Sequence, residues 1–146
     1  MEVQTLKLAV VEQDLNDLIR KYLPADHPIE QLTARVNQQG VVVTGIYPLF
    51  INVHFETIWE LGLDAGQITA RLANFKAMGV PGNIFKSAIV KMIEELAVAE
   101  KWVRIKGDTL WVDADACIAK FACSARTNFK VLTCEPGRIL LESRTE

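Results

Sequence analysis

The sequence predicts an α+β protein in which an antiparallel sheet of about eight strands packs on a long apolar helix, with an amphipathic helix at its N-terminal end. Three observations carry this. From Leu49 to Leu61 the odd positions are Leu49, Ile51, Val53, Phe55, Thr57, Trp59 and Leu61, interleaved with Asn52, His54, Glu56 and Glu60. Alternation of period two over such a length is a strand with one buried face. After a second alternating run, the turn Met78-Gly79-Val80-Pro81-Gly82-Asn83 leads into Ile84, Phe85, Ala88, Ile89, Met92, Ile93 and Leu96, which recur at helical spacing. A sheet with one wet face must bury the other, and this helix is the obvious partner.

The remaining elements follow in order. Between Val3 and Leu23, the spacing of Leu8, Val11, Leu15, Leu18, Ile19 and Tyr22 predicts one helix with Glu12, Asp14, Asp17 and Lys21 outside its stripe. Pro24 and Pro28 end it. Leu32, Ala34 and Val36 alternate as a first strand, Gln39-Gly40 turns, and Val41 to Tyr47 returns as a second. The Leu49–Leu61 strand closes at Gly62-Leu63-Asp64-Ala65-Gly66, and a fourth strand runs from Gln67 to Lys76. Past the helix that ends near Ala99, Trp102–Lys106 and Thr109–Asp113 form a hairpin on Gly107-Asp108. A short helix carrying Cys117, Ile118 and Phe121 precedes a last hairpin, Phe129–Cys134 and Arg138–Glu142, on Pro136-Gly137. Short turns between strands make the pairing antiparallel, and no repeat or linker divides the chain, which reads as one domain over 1–146.

Composition narrows the function classes. Half of the 146 residues are hydrophobic, 23% are charged and the formal net charge is −2, so nucleic acid is not an expected partner. The start, Met1-Glu2-Val3-Gln4-Thr5-Leu6-Lys7, lacks the pattern of a secretory signal, and no run approaches a bilayer span. Cys117, Cys123 and Cys134 form no Cys-x-x-Cys pair and lie far from His27 and His54 in sequence. That spacing predicts reduced thiols in a cytoplasmic protein and no metal site.

The stretch from Leu32 to Gly45, the long strand after it, Ala77-Met78-Gly79-Val80-Pro81-Gly82 before an apolar helix, and Gly107-Asp108-Thr109-Leu110-Trp111-Val112-Asp113 together resemble the tubular lipid-binding (TULIP-like) superfamily, nearest its single-domain bacterial members. The resemblance covers roughly residues 29 to 142. It implies a strongly curved sheet wrapped around a long helix, with an apolar tunnel between them. The chain departs from the envelope members in having no signal peptide or lipid-attachment cysteine near its start.

No residue set announces a catalytic chemistry. His54 falls on the polar face of the long strand and His27 in a Pro-flanked loop. Glu94 and Glu95 read as a solvated helix face, and Asp113 and Asp115 as turn and cap residues. The expected function is therefore non-enzymatic binding of an apolar ligand, a lipid or fatty acyl chain, without a cofactor. Leu15, Ile19, Val53, Phe55, Trp59, Phe85, Ile89 and Met92 are the expected tunnel lining. Asn83, as an N-cap, and Lys86 in the first turn mark a place for an anionic head group, and Gly82 is expected to take a positive φ just before them. Trp102 and Trp111, on opposite arms of one hairpin near Lys101, Arg104 and Lys106, are expected to pair and offer a surface to a membrane or protein. The alternative is a structural or protein-interaction module with a filled core and no ligand. The cysteines give a direct test: after unfolding without reductant, all three thiols are expected to react with a thiol reagent, and fewer than three would reveal a disulfide.

Overall fold

The computed structural model describes residues 5–23, 26–48, 50–78, 82–99, 101–116 and 129–144. Two antiparallel sheets organise them. The strands are β1 (Thr5–Val11), β2 (Glu30–Asn37), β3 (Gly40–Pro48), β4 (Asn52–Asp64), β5 (Gln67–Ala77), β6 (Val103–Lys106), β7 (Thr109–Val112), β8 (Phe129–Glu135) and β9 (Arg138–Arg144). The helices α1 (Glu12–Tyr22) and α2 (Gly82–Ala99) complete the named elements. One sheet has the order β2-β3-β4-β5-β7-β6, the other β1-β9-β8.

The β4 alternation behaves as its sequence dictates. Val53, Phe55, Thr57 and Trp59 are buried, whereas His54 and Glu60 are exposed. Buried Thr57 cannot leave its hydroxyl unpaired: Oγ1 donates to the Val43 carbonyl at 3.2 Å and accepts the Trp59 indole N–H at 2.9 Å. At Ile58/Trp59 the register against β5 shifts, leaving Ala73 as an extra residue. Such a bulge bends and twists the strand pair.

Two clusters fill the inner face of the six-stranded sheet. At one end Ile89 of α2 packs with Ile29, Val53 and Phe55. At the other, Phe129, Ile139 and Leu141 of the three-stranded sheet meet Val36, Val41, Trp59, Ala70 and Leu72. Ile93 touches both clusters. Two glycines permit close approach. A Cβ on Gly40, whose φ is +139°, would stand 2.0 Å from the Trp59 carbonyl oxygen. Gly45 faces Phe55 across the β3–β4 pair, and a Cβ there would lie 2.8 Å from the ring.

The outer edge of β2 is sealed without a strand. The Asn16 side-chain amide accepts the Ala34 N–H at 2.8 Å and donates to the Ala34 carbonyl at 3.0 Å. Glu12 Oε2 accepts the Val36 N–H at 2.7 Å, and the Gly137 N–H donates to the Val36 carbonyl at 2.9 Å. Two side chains one helical turn apart thus imitate a pairing strand, and the β8–β9 turn finishes the work.

The expected single sheet around a long apolar helix is not the fold. Among the described residues nine strands divide into two sheets, and most of these residues are in strands. The helix predicted over Val3–Leu23 begins only at Glu12; Leu6, Leu8 and Val10 alternate, and β1 pairs with β9 in the register Leu8↔Leu141. Helical and strand spacings overlap at Leu8 and Val11, and the ladder offered by β9 decides between them. That capture pulls the closing hairpin into a second sheet. Nor is α2 an apolar rod enclosed by strands: Lys86, Ser87, Lys91, Glu94 and Glu95 are exposed, and its buried contact runs through Ile89. Gly82 is the first residue of α2 and Asn83 the second, so neither the positive-φ turn nor the Asn83 cap is formed as expected. The β4–β5 turn is where left-handed backbone occurs, at Ala65 (φ 50°) and Gly66 (φ 80°). β4 starts at Asn52 rather than Leu49, with Ile51 exposed. Most of the predicted short helix carrying Cys117, Ile118 and Phe121 lies outside the described residues.

Two predictions follow from these contacts. Asn16→Leu strands the Ala34 amide and carbonyl and is expected to cost about 2–3 kcal/mol in urea unfolding, against under about 0.5 kcal/mol for Asp17→Ala, whose pair with Arg20 is exposed. Gly40→Ala collides with backbone and is expected to cost over about 3 kcal/mol; Gly107→Ala, with φ +64° but open space, is expected to cost about 1 kcal/mol.

Candidate functional site

Six of the residues expected to line a tunnel have described side chains, and these pack in two clusters. Val53, Phe55 and Ile89 meet in the α2 cluster, at 0%, 5% and 5% exposure. Trp59 belongs to the inter-sheet cluster, with Leu15 and Ile19 of α1 packed against it. The side chains of Phe85, Met92 and Asn83 lie outside the described residues. None of the described lining candidates borders the two surface clefts described next.

The larger cleft, about 700 Å³, is open and mixed in character. The amides of Gln38, Gln39 and Asn74 share it with Glu60, Ile58, Leu132 and Cys134. Glu60 is already paired with Arg71, and Asn74 Oδ1 accepts the Phe75 N–H at 2.8 Å. Burial pushes the Cys134 thiol above its ordinary pKa, which disfavours the thiolate that nucleophilic or metal chemistry requires. Sequence spacing missed this cleft because its walls come from β4, β5, β8 and the β2–β3 turn, brought together only by the stacking of the sheets.

The smaller cleft, about 470 Å³, follows one stripe of α2: Lys86, Ser87, Val90, Lys91 and Glu94. Lys86, expected to mark a place for an anionic head group, is exposed there. Among the described residues no group of three or more His, Cys, Asp or Glu side chains is placed to hold a metal ion.

The tryptophan hairpin differs from expectation. Trp111 stands opposite Arg104, whose guanidinium lies 5.1 Å from the ring centroid, and its indole N–H reaches Asp64 at 3.5 Å. Trp102 precedes β6, is 9% exposed and meets the Tyr22 ring edge-on at 5.2 Å. The two tryptophans are therefore not cross-strand partners, because Val103, not Trp102, begins the ladder opposite Val112. Trp102 instead fastens the end of α1 to the start of β6.

Apolar exposure is concentrated elsewhere. Phe50 (107%) and Ile51 (58%) stand at the tip between β3 and β4, and Met78 (74%) follows β5. The Met78 N–H donates to the His54 carbonyl at 3.1 Å, which holds this residue beside the first turns of β4.

No protein-family model, curated protein or solved structure matches the sequence. The likeness to tubular lipid-binding proteins accordingly remains one of sequence pattern. Among the described residues, no helix is long and apolar enough to cross a membrane.

Proposed function

We propose that this chain is a non-catalytic interaction module whose core is filled by its own side chains and which acts through its surface. The observation that carries the reading is the fate of the inner sheet face. Val53, Phe55, Trp59 and Ile89, which a carrier would present to a ligand, are each under 10% exposed and packed on side chains of other elements. Binding of an apolar molecule needs enclosed apolar surface, whereas the two clefts described above are open and mixed, with Glu60, Asn74, Lys86 and Lys91 beside Ile58, Leu132 and Val90. A cytoplasmic setting belongs to the same proposal, supported by the free thiol of Cys134.

Ile89→Trp tests the filled core. A ligand-holding space would accept the larger ring with little loss of stability and would lose ligand. Ile89 is 5% exposed in the cluster of Ile29, Val53 and Phe55, so a larger ring must displace its neighbours if that core is filled. The expected result is a loss of about 1–3 kcal/mol in chemical unfolding, with no uptake of a fluorescent fatty acid by the parent protein. A parent that takes up the probe, paired with a stable variant that does not, would overturn the reading.

A further inference from the structure

The edges of the two sheets are not treated alike. That of β2 is closed by Asn16, Glu12 and Gly137. β6 is short, carries exposed Arg104 and Lys106, and contacts α2. β8 bulges at Lys130 and lies against β2 and β4. The remaining edge is that of β1. Here the Glu12 N–H points to the closing hairpin and donates to the Gly137 carbonyl at 3.3 Å, whereas the Val11 N–H turns away and donates to Asp14 Oδ2 at 3.0 Å. Backbone groups alternate between the two sides of a strand, so Lys7 and Ala9, in phase with Val11, present their N–H and C=O on the side away from β9. Both residues are exposed, and among the described residues nothing pairs with these groups.

The side chains say what fits this edge. On the inner face the register aligns Leu132, Leu141 and Leu8 in one row across the sheet. Leu141 is buried, but Leu8 is half-buried, and the row stops there at open backbone. A second copy of β1, antiparallel about a two-fold axis at Leu8, continues the row with its own Leu8. Neighbouring axes fail. An axis at Lys7 sets two lysines directly opposite, and one at Ala9 brings Lys7 to Val11, whose N–H Asp14 already holds. An axis nearer Thr5 carries Ala9 beyond the start of the other copy's β1. With the axis at Leu8, Lys7 of each copy faces Ala9 of the other, and the free N–H and C=O groups of both residues are paired. The methyl side chain of Ala9 leaves room for the lysine stem. Lys7 already stands opposite Glu142 in its own sheet, so its charge does not oppose the approach.

We infer that the open edge of β1 pairs with β1 of a second copy of this chain, joining their three-stranded sheets into one continuous sheet with Leu8 on the two-fold axis. The inference rests on the reading of the chain as an interaction module and names the partner. Only Lys7 and Ala9 supply the ladder, because Asp14 closes it at Val11, so the dimer is a weak one that dissociates on dilution.

Sedimentation velocity of the full chain across a wide concentration range tests it. The expected result is a monomer when dilute and a dimer when concentrated. Ala9→Lys sets a lysine opposite Lys7 at both symmetric places and is expected to weaken the dimer by at least about threefold; Ala9→Glu sets an opposite charge there and is expected to strengthen it by a similar factor. Ala9 is exposed, so both variants are expected to keep the melting temperature of the dilute parent. The axis is read separately by oxidation with diamide. Leu8→Cys is expected to give a disulfide-linked dimer that the parent does not, because facing residues at such a site have Cα atoms about 4.5 Å apart, and Val11→Cys is expected to give none. A parent that stays monomeric at every concentration would overturn the inference and leave the edge to a strand of another protein. So would an association unchanged by Ala9→Lys, or cross-linking through Val11→Cys in place of Leu8→Cys. Uptake of the fluorescent fatty acid by the parent bears on the filled core alone, so failure of one proposal is told apart from failure of the other.

Discussion

The arrangement depends on how the edge of β2 is closed. A free strand edge exposes a row of amides and carbonyls that must find partners in water or in another chain. Here Ala34 and Val36 have buried side chains, so their outward-facing backbone groups sit where water is scarce. Asn16 answers both groups of Ala34, Glu12 answers the Val36 N–H, and Gly137 answers its carbonyl. The first helix, the six-stranded sheet and the turn of the three-stranded sheet meet in that one row of hydrogen bonds. Geometry at this row sets where β8 and β9 lie over the inner face, and hence which side chains Trp59 and Leu72 meet.

Filling of the core follows from this junction. Once the β8–β9 hairpin is held over β2 and β4, Phe129, Ile139 and Leu141 descend onto Val36, Val41 and Trp59. Ile89 of α2 covers the other end, and Ile93 bridges the two clusters. The apolar inner face of the sheet thereby packs on side chains of α2 and of the three-stranded sheet. Chemistry is then left to the outside: a cleft of amides with a thiol held neutral by burial, a lysine stripe on α2, and an apolar tip.

Legibility in the sequence varied with the range of the interaction. Strands β2 to β7 could be read because their alternation and turns are local: Val53, Phe55 and Trp59 lie on the face predicted for them, and Gly107-Asp108 turns as its composition demands. The first strand could not, because Leu8 and Val11 fit two periodicities and only pairing with Leu141 and Arg138 separates them. Asn16 and Glu12 read as polar residues of an amphipathic helix. Their role appears only when β2 is beside them, eighteen and twenty-four residues away in sequence. Of the candidate lining, Val53, Phe55, Trp59 and Ile89 are buried, and burial against protein and burial against ligand have the same sequence signature.

What the sequence determined by itself was therefore the set of elements between Glu30 and Val112, their antiparallel pairing and the buried face of the long strand. Those follow from side-chain period and turn chemistry, which act over a few residues. Tertiary structure alone decided that nine strands form two sheets, that Trp102 packs on Tyr22 rather than on Trp111, and that the inner face is closed. Each of these depends on contacts between distant segments, whose energies are set by shape and by the satisfaction of backbone groups, quantities that no local pattern of residues encodes.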